Sequence, residues 1–152
     1  KEVENECIIL LENVAGAGNS IGKSLSELQQ IIKRVNPEYQ KKLGICLDTG
    51  HAYAAGYDIA SASGLASLLK ELDRVLGQEK LKVIHINDSR YELGSKKDEH
   101  AHIGEGCIGL KGFKNVVNHP RLRNLPFILE TPGFEGKDRD VETIYSLRKK
   151  GE

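Results

Sequence analysis

The sequence predicts an α/β fold in which four β→α units place parallel strands in one sheet. Short apolar runs alternate with segments whose apolar residues recur at helical spacing. The apolar runs are continuous, which is typical of parallel strands buried on both faces. Strands that alternate with helices imply right-handed crossovers and a parallel sheet. Periodicity alone leaves an open, doubly wound sheet as an alternative.

The first unit begins with the apolar run Cys7–Leu11, which ends at Glu12. A Gly-rich loop leads into a helix from about Ser24. Ser24 and Glu27 form a capping box, in which each side chain is expected to satisfy an orphan backbone donor. Apolar residues then recur at helical spacing until Asn36-Pro37 ends the helix.

The second unit has a strand at Leu43–Leu47, which ends at Asp48, and a helix at about Ala62–Leu76 whose leucines share one face. Gly77 is the expected end of this helix.

The third and fourth units are shorter in their regular parts. The third has a strand at Leu81–Ile86, a long polar loop to about Ile108 and a short helix around Phe113. The fourth has a strand at Phe127–Leu129, which ends at Glu130. Its final helix carries Val141, Ile144 and Leu147.

A side chain that can bind metal stands at or near the end of every predicted strand. These residues are Glu12, Asp48, His85 and Glu130. Parallel packing brings the carboxyl ends of strands to one face, where α/β proteins bind ligands. Three carboxylates and a histidine would repel one another or be costly to desolvate there unless a cation neutralised them. Mixed oxygen and imidazole ligands suit zinc or manganese better than calcium.

A second set of candidate ligands lies in the loops. His51 follows Asp48 by three residues and can reach the same face from the loop. Asp98 and His100 alternate, so in an extended segment their side chains share one side. His51, Asp98 and His100 make a two-histidine, one-carboxylate set, which leaves an open coordination position as a catalytic zinc requires. His102 and His119 are left outside the predicted site.

Composition restricts the class of protein. Lys+Arg and Asp+Glu are both 22, so bulk charge predicts no partner. No apolar run reaches the roughly 20 residues that span a bilayer. The odd number of cysteines, at Cys7, Cys46 and Cys107, predicts buried thiols in a reducing compartment. We therefore expect one cytoplasmic domain over residues 1–152, which in a eukaryote would be nuclear, with no membrane partner.

The glycine-rich loop at Gly16–Gly22 resembles a dinucleotide-binding fingerprint, but its last glycine stands one residue too late. A carboxylate at the preceding strand end would also face the pyrophosphate. We therefore expect no nucleotide cofactor. The loop is expected to provide backbone flexibility and amides for a phosphate.

Five stretches of the sequence resemble the endonuclease IV family of zinc-dependent apurinic/apyrimidinic endonucleases. They are ENVAGAG at 12–18, LDTGHAYAAGYD at 47–58, HIND at 85–88, GSKKDEHAHIGEG at 94–106 and ILET at 128–131. They run in the family's order and together cover nearly the whole chain, which makes the combination highly specific.

The resemblance implies the C-terminal half of a (β/α)8 TIM-type barrel that holds up to three zinc ions at its mouth. Glu12 matches the glutamate that bridges two zinc ions, and Glu12 and Glu130 are the candidate catalytic residues. This chain is expected to hold about two zinc ions, with Mn²⁺ as a possible substitute. The remaining matches to metal ligands are Asp48, His51, His85, Asp98, His100 and Glu130.

The implied activity is DNA repair by hydrolysis of the phosphodiester 5′ to an abasic site, with double-stranded DNA as the partner. A missing N-terminal half or a second copy is expected to cover the open sheet edges. A metal-dependent sugar isomerase or epimerase on a related barrel, and an inactive half-barrel fragment, stay open as alternatives.

The sequence departs from the family pattern at two positions. Glu99 stands where arginine is common, and its charge is expected to weaken binding to phosphate. Gly50 stands where cysteine is common, and this change is expected to be harmless.

Overall fold

A four-stranded parallel sheet organises the protein. The computed structural model describes residues 7–133 and 137–149. The strands are β1 (Ile9–Glu12), β2 (Leu43–Asp48), β3 (Leu81–His85), β4 (Asp88–Ser89), β5 (His100–Ala101) and β6 (Phe127–Ile128). The main sheet has the order β1-β2-β3-β6, and each strand is parallel to its neighbour. The strands β4 and β5 form a separate antiparallel ribbon.

The described residues form six α-helices: α1 (Leu25–Arg34), α2 (Pro37–Gln40), α3 (Thr49–Ala55), α4 (Ala62–Val75), α5 (Gly109–Asn118) and α6 (Lys137–Leu147). Helices α1, α4, α5 and α6 contribute buried apolar residues to the core on one face of the sheet, whereas α3 begins at the carboxyl end of β2. Helix α4 packs between α1 and α5, and α5 packs against α6. The core lies between these helices and the sheet, where Ile45, Leu72, Ile84 and Phe113 are all fully buried. No helix in the described part of the chain combines the length and apolarity that crossing a membrane requires.

The opposite face of the sheet carries the candidate ligands. Side chains alternate along a strand, so Asp48 shares a face with Cys46 and Gly44, while Ile45 and Leu47 point toward the helices. Apolar residues with the parity of this open face remain exposed at Ile8 (47%), just before β1, and at Ile128 (46%) on β6. The ligand-bearing face therefore lacks the cover that the helices give to the other face.

The predicted strands and main helices are confirmed, with small shifts at their ends. Strand β1 begins at Ile9 rather than Cys7, and β6 ends at Ile128 rather than Leu129. Ser24 caps α1 as predicted, because its hydroxyl accepts from the Glu27 backbone N–H over 3.2 Å.

The Glu27 carboxylate acts differently from the predicted capping box. It accepts from the backbone N–H groups of Gly22 (2.7 Å) and Lys23 (3.1 Å) rather than from that of Ser24. These two amides are therefore occupied, and the expectation that the loop presents free amides to a phosphate is wrong for them.

Two features that shape the site are absent from the sequence-based prediction. His51 lies in the first turn of α3 and not in a loop, because Asp48 caps this helix by accepting from the His51 backbone N–H over 2.7 Å. The segment predicted as one long polar loop contains the β4–β5 ribbon, in which Ser89 pairs with His100.

The cysteine prediction is only partly correct. Cys46 is buried on β2, as expected, whereas Cys7 and Cys107 are exposed. Cys7 lies before the first residue of β1 and Cys107 lies in the loop that leads to α5, so neither belongs to the sheet.

Candidate metal centre

The strand register brings the predicted strand-end residues to one edge of the sheet. Asp48 pairs with His85, and His85 pairs with Ile128. Glu12 pairs with Cys46, two residues before Asp48. Glu130 follows Ile128 by two residues, so all four side chains have the parity of the open face.

The first cluster joins Glu12, Asp48, His85 and Glu130, each of which offers one ligand atom within 4.8 Å of the others. The Nδ1 atom of His85 lies 3.3 Å from Glu12 Oε1 and 3.0 Å from Glu130 Oε2. This nitrogen is buried and makes no hydrogen bond of acceptable geometry to any described residue. The Glu12 and Glu130 carboxylates therefore both approach the Nδ1 atom of His85.

The second cluster joins Asp48, His51 and His100, whose ligand atoms also lie within 4.8 Å of one another. Asp98 stands beside this cluster, with Oδ1 3.0 Å from His51 Nε2. The two imidazole centroids are 5.2 Å apart. Asp48 belongs to both clusters and is fully buried, so its carboxylate connects them.

Backbone carbonyls orient both imidazoles of the second cluster. His51 Nδ1 lies 2.9 Å from the carbonyl oxygen of Asn13, and His100 Nδ1 lies 3.2 Å from that of Glu130. Because a carbonyl oxygen only accepts, each Nδ1 must donate its proton. When the rings are neutral, both Nε2 atoms therefore keep a lone pair. This arrangement is typical of histidines that bind metal.

The His51 imidazole is more basic than usual. Burial lowers its pKa, but the nearby charges of Asp48 and Asp98 and the hydrogen bond to Asn13 outweigh burial, so the pKa is raised overall. The site therefore attracts positive charge at the position of the second cluster.

These donors fit a transition-metal cation. Apart from the buried Nδ1 of His85, the Nε2 atom of His100 is also buried without a hydrogen bond to any described residue, although Asp48 Oδ2 is 3.6 Å away. Buried imidazole nitrogens without hydrogen bonds are costly unless another partner binds them. Carboxylate oxygens combined with imidazole nitrogens are ligands that zinc and manganese accept.

Comparison with known proteins identifies the fold family. Residues 2–149 match the family described as "Xylose isomerase-like TIM barrel". The chain belongs to this family. Its sheet of four parallel strands is the corresponding half of a barrel, and the predicted fold class is confirmed.

Two curated relatives of this chain are named as endonucleases. "Probable endonuclease 4" from Halothermothrix orenii is 57% identical over 148 residues, which are 97% of this chain and 52% of that protein. "Probable endonuclease 4" from Clostridium beijerinckii is 46% identical over 145 residues, which are 95% of this chain and 51% of that protein. The chain thus spans about half the length of the curated relatives it matches.

A solved structure shows the same likeness. Endonuclease IV from Thermus thermophilus matches with a TM-score of 0.79 and 41% sequence identity, over 92% of this chain and 49% of that chain. The resemblance to the endonuclease IV family is confirmed.

Two buried asparagines connect the strand ends and were not predicted as site residues. The Asn13 side chain bonds both backbone groups of Asp48, accepting from its N–H (2.8 Å) and donating to its carbonyl (3.1 Å). Asn87 donates to Asp48 Oδ2 (2.6 Å) and accepts from the Glu130 backbone N–H (2.7 Å). The sequence held one sign of their role. Each asparagine stands directly after a predicted strand, at the point where the apolar residues stop.

Cys46 lies beneath the first cluster, close enough to Glu12 and His85 to be a candidate ligand. Burial, together with the charge of Glu12, raises the pKa of its thiol to about 12. Because a cysteine binds metal as the thiolate, a cation bound by Cys46 would have to displace this proton.

The departures from the family pattern have structural consequences. Glu99 pairs with Arg90 and accepts from the Tyr91 hydroxyl over 3.0 Å, so its charge is balanced locally. A Cβ atom at Gly50 would lie 3.1 Å from His100 Cδ2 and 3.3 Å from Asp48 Oδ1. The Gly50 position therefore packs directly on the second cluster, although it supplies no ligand.

The two excluded histidines stand outside both clusters. His102 Nδ1 lies 2.8 Å from Asp140 Oδ2, and His119 Nδ1 accepts from the Arg121 backbone N–H over 3.2 Å. Asp140 lies on α6 and is fully buried, and no pattern in the sequence indicated its role.

Proposed function

We propose that this chain supplies the main metal-binding part of a DNA-repair endonuclease that cleaves the phosphodiester 5′ to abasic sites in double-stranded DNA. The observation that carries the proposal is the pair of ligand clusters that share Asp48 at one rim. The likeness to endonuclease IV proteins supports the choice of a nuclease over a sugar isomerase. The full activity belongs to a protein about twice as long as this chain.

The residues that would hold the cations are those of the two clusters, together with Asp98 beside the second cluster. They are Glu12, Asp48, His51, His85, Asp98, His100 and Glu130. Bound zinc would supply Lewis-acid stabilisation of the charge that develops on the phosphoryl group and the leaving 3′-oxygen. Manganese would satisfy the same mixed oxygen and nitrogen donors.

The chain's own residues would perform the remaining steps. Glu130 and Glu12 are the candidates to orient or deprotonate the attacking water, because each is a carboxylate at the open side of the rim. Their side chains are 46% and 34% exposed, whereas Asp48 is fully buried. The Asn87 side chain would hold Glu130 in place by accepting from the Glu130 backbone N–H.

The unpaired edges of the main sheet support the view that a further polypeptide segment is needed to cover them. Strands β1 and β6 have no partner on their outer sides among the described residues. Ile9 on β1 is 65% exposed and Ile128 on β6 is 46% exposed. Unpaired edges with apolar residues favour pairing with other strands. We propose that the other half of a longer chain covers them, and that a second copy does so only when this half is absent.

A chimera tests the proposal. The half of the Halothermothrix orenii relative that this chain does not match would be joined to this chain, and cleavage of a duplex with one abasic site would be measured. We expect cleavage that chelator abolishes and zinc restores. Glu130→Gln should nearly abolish it, whereas the exposed control Glu142→Gln should not change it.

The outcomes separate the alternatives. Full cleavage by the Glu130→Gln chimera would reject the role of Glu130. Sugar interconversion without cleavage by the unsubstituted chimera would favour the isomerase alternative. The isolated 152-residue chain is expected to show low activity, and robust cleavage by its monomer would contradict the need for another half.

A further inference from the structure

The segment that carries Asp98 and His100 has little regular structure of its own. Its pairing within the sheets is limited to β5, where His100 pairs with Ser89 and Ala101 pairs with Asp88. A ribbon of two residues per strand is weak on its own. The position of the His100 imidazole must therefore depend on contacts outside the ribbon.

Asp140 on α6 provides such contacts just after β5. Its Oδ2 atom lies 2.8 Å from His102 Nδ1, and its Oδ1 atom accepts from the Ile103 backbone N–H over 3.0 Å. The Asp140 side chain is 1% exposed. A buried carboxylate is costly unless charged or polar partners compensate it, and these two contacts contribute to that compensation.

The carboxylate form of Asp140 is favoured at this position. Burial alone would raise its pKa, but the His102 side chain, the Thr131 side chain and the Ile103 backbone N–H lower the pKa of Asp140 below its usual range. An ionised Asp140 only accepts, so His102 Nδ1 donates to it.

The His100 segment is thus held at two points, by Glu130 and by Asp140. The His100 ring donates to the Glu130 carbonyl over 3.2 Å. Two and three residues further on, the His102 side chain and the Ile103 backbone N–H bind Asp140. Glu130 follows β6 by two residues, and Asp140 lies near the start of α6. Neither His102 nor Asp140 belongs to the ligand clusters formed by the described residues.

We infer that Asp140, acting through His102, is a positioning residue that fixes the His100 segment so that Nε2 faces Asp48 and His51. The inference rests on the proposed function, because it assigns His100 to a metal site. It predicts that the His102–Asp140 pair sets the affinity of the second cluster and leaves that of the first cluster nearly unchanged.

Zinc titration of the full 152-residue chain, followed by competition with a chelating dye, tests this. His102→Ala should weaken one zinc ion by roughly tenfold, the lower end of the effect of residues that orient metal ligands. His102→Asn should stay near wild type, because its amide can donate to Asp140 as Nδ1 does. The exposed control Glu142→Gln on the same helix should bind zinc as the wild type does.

A double-mutant cycle separates positioning from general stability. In a His100→Ala background, His102→Ala should cause no further loss of zinc affinity, although its effect on the free energy of unfolding should persist. Asp140→Asn provides a second variant of the same pair. If the Asp140→Asn chain does not fold, the His102 variants still decide the test.

Three results would overturn the inference. His102→Ala could bind zinc as tightly as the wild type, it could weaken both zinc ions equally, or it could add its full loss in the His100→Ala background. A wild-type chain that binds no zinc would instead overturn the proposed metal site, and the inference with it.

Discussion

The His100 imidazole donates from Nδ1 to the backbone carbonyl of Glu130 over 3.2 Å. This contact joins the two ligand clusters through the chain itself, because the Glu130 side chain belongs to the first cluster and the His100 Nε2 atom to the second. Cations in the two clusters would therefore share supporting atoms as well as the Asp48 carboxylate. Substitution of Asp48, the one residue that belongs to both clusters, should therefore affect both.

The raised pKa of His51 predicts a pH dependence with a definite sign. In the metal-free chain the protonated imidazole is stabilised mainly by Asp48 and Asp98 against the cost of burial. Its contribution to the free energy of unfolding should be fully present below the unfolded pKa of about 6.5 and lost as pH rises through the higher folded value. Urea denaturation of the metal-free chain between pH 5.5 and 8.5, about the range that brackets this titration, measures it.

Zinc affinity at His51 should depend on pH in the opposite sense, rising as pH rises. A cation must displace the His51 proton, so zinc affinity should fall as pH is lowered through the folded pKa, with release of a proton that calorimetry in two buffers detects. His119 is an internal control, because burial and Arg121 lower its pKa. An NMR titration in which His51 titrates below His119 would contradict the prediction.

Asn87 should stabilise both the fold and the metal site. It is fully buried and bonds Asp48 and Glu130 with its amide. Asn87→Ala would leave these partners unsatisfied and should lower the free energy of unfolding by about 2 kcal/mol. It should also weaken zinc binding.

Asn118→Ala is the matched control for Asn87→Ala. The Asn118 amide donates to the Leu147 carbonyl over 2.9 Å at the far end of α5. This variant should lose some stability, as thermal unfolding would show, but retain zinc affinity. Equal zinc affinity in the two variants would refute the role of Asn87.

Asp88 should be needed to shape the loop between β5 and α5. This fully buried carboxylate accepts from the backbone N–H groups of Gly104 (2.9 Å), Gly106 (3.1 Å) and Ile108 (2.9 Å). Asp88→Asn would place an amide N–H against these donors and should cost about 3 kcal/mol in chemical denaturation. Asp73→Asn, which breaks an exposed pair with Arg121, should cost at most about 1 kcal/mol.

Gly106→Ala provides an independent check on the same contact. A Cβ atom there would overlap the Ser89 carbonyl and the Asp88 carboxylate. Destabilisation comparable to that of Asp88→Asn is expected. A neutral effect of both substitutions would show that the Asp88 contacts do not hold the loop.

The strand ends could be predicted from the sequence because one physical rule connects pattern and position. Continuous apolar runs identify buried parallel strands, and parallel strands bring residues such as Glu12 and Glu130 to one edge although they are far apart in the chain. The rule needs no knowledge of individual side-chain contacts.

The remaining parts of the site depend on contacts that no local pattern reveals. Helix α3 is short and rich in alanine, so it lacks the apolar periodicity that identified the longer helices. The β4 and β5 strands are two residues each, too short for alternation. The partner of His102 lies 38 residues away on α6, and only tertiary packing brings Asp140 to it.

Elemental analysis of the purified and dialysed chain tests the central claim, that residues distant in sequence form one rim that holds cations. We predict about two zinc ions per chain, one for each cluster. Asp48→Asn should lose most of this zinc because Asp48 belongs to both clusters, whereas Asp73→Asn should retain it. A wild-type chain that retains no divalent metal, or an Asp48→Asn chain that retains as much as the wild type, would contradict the account.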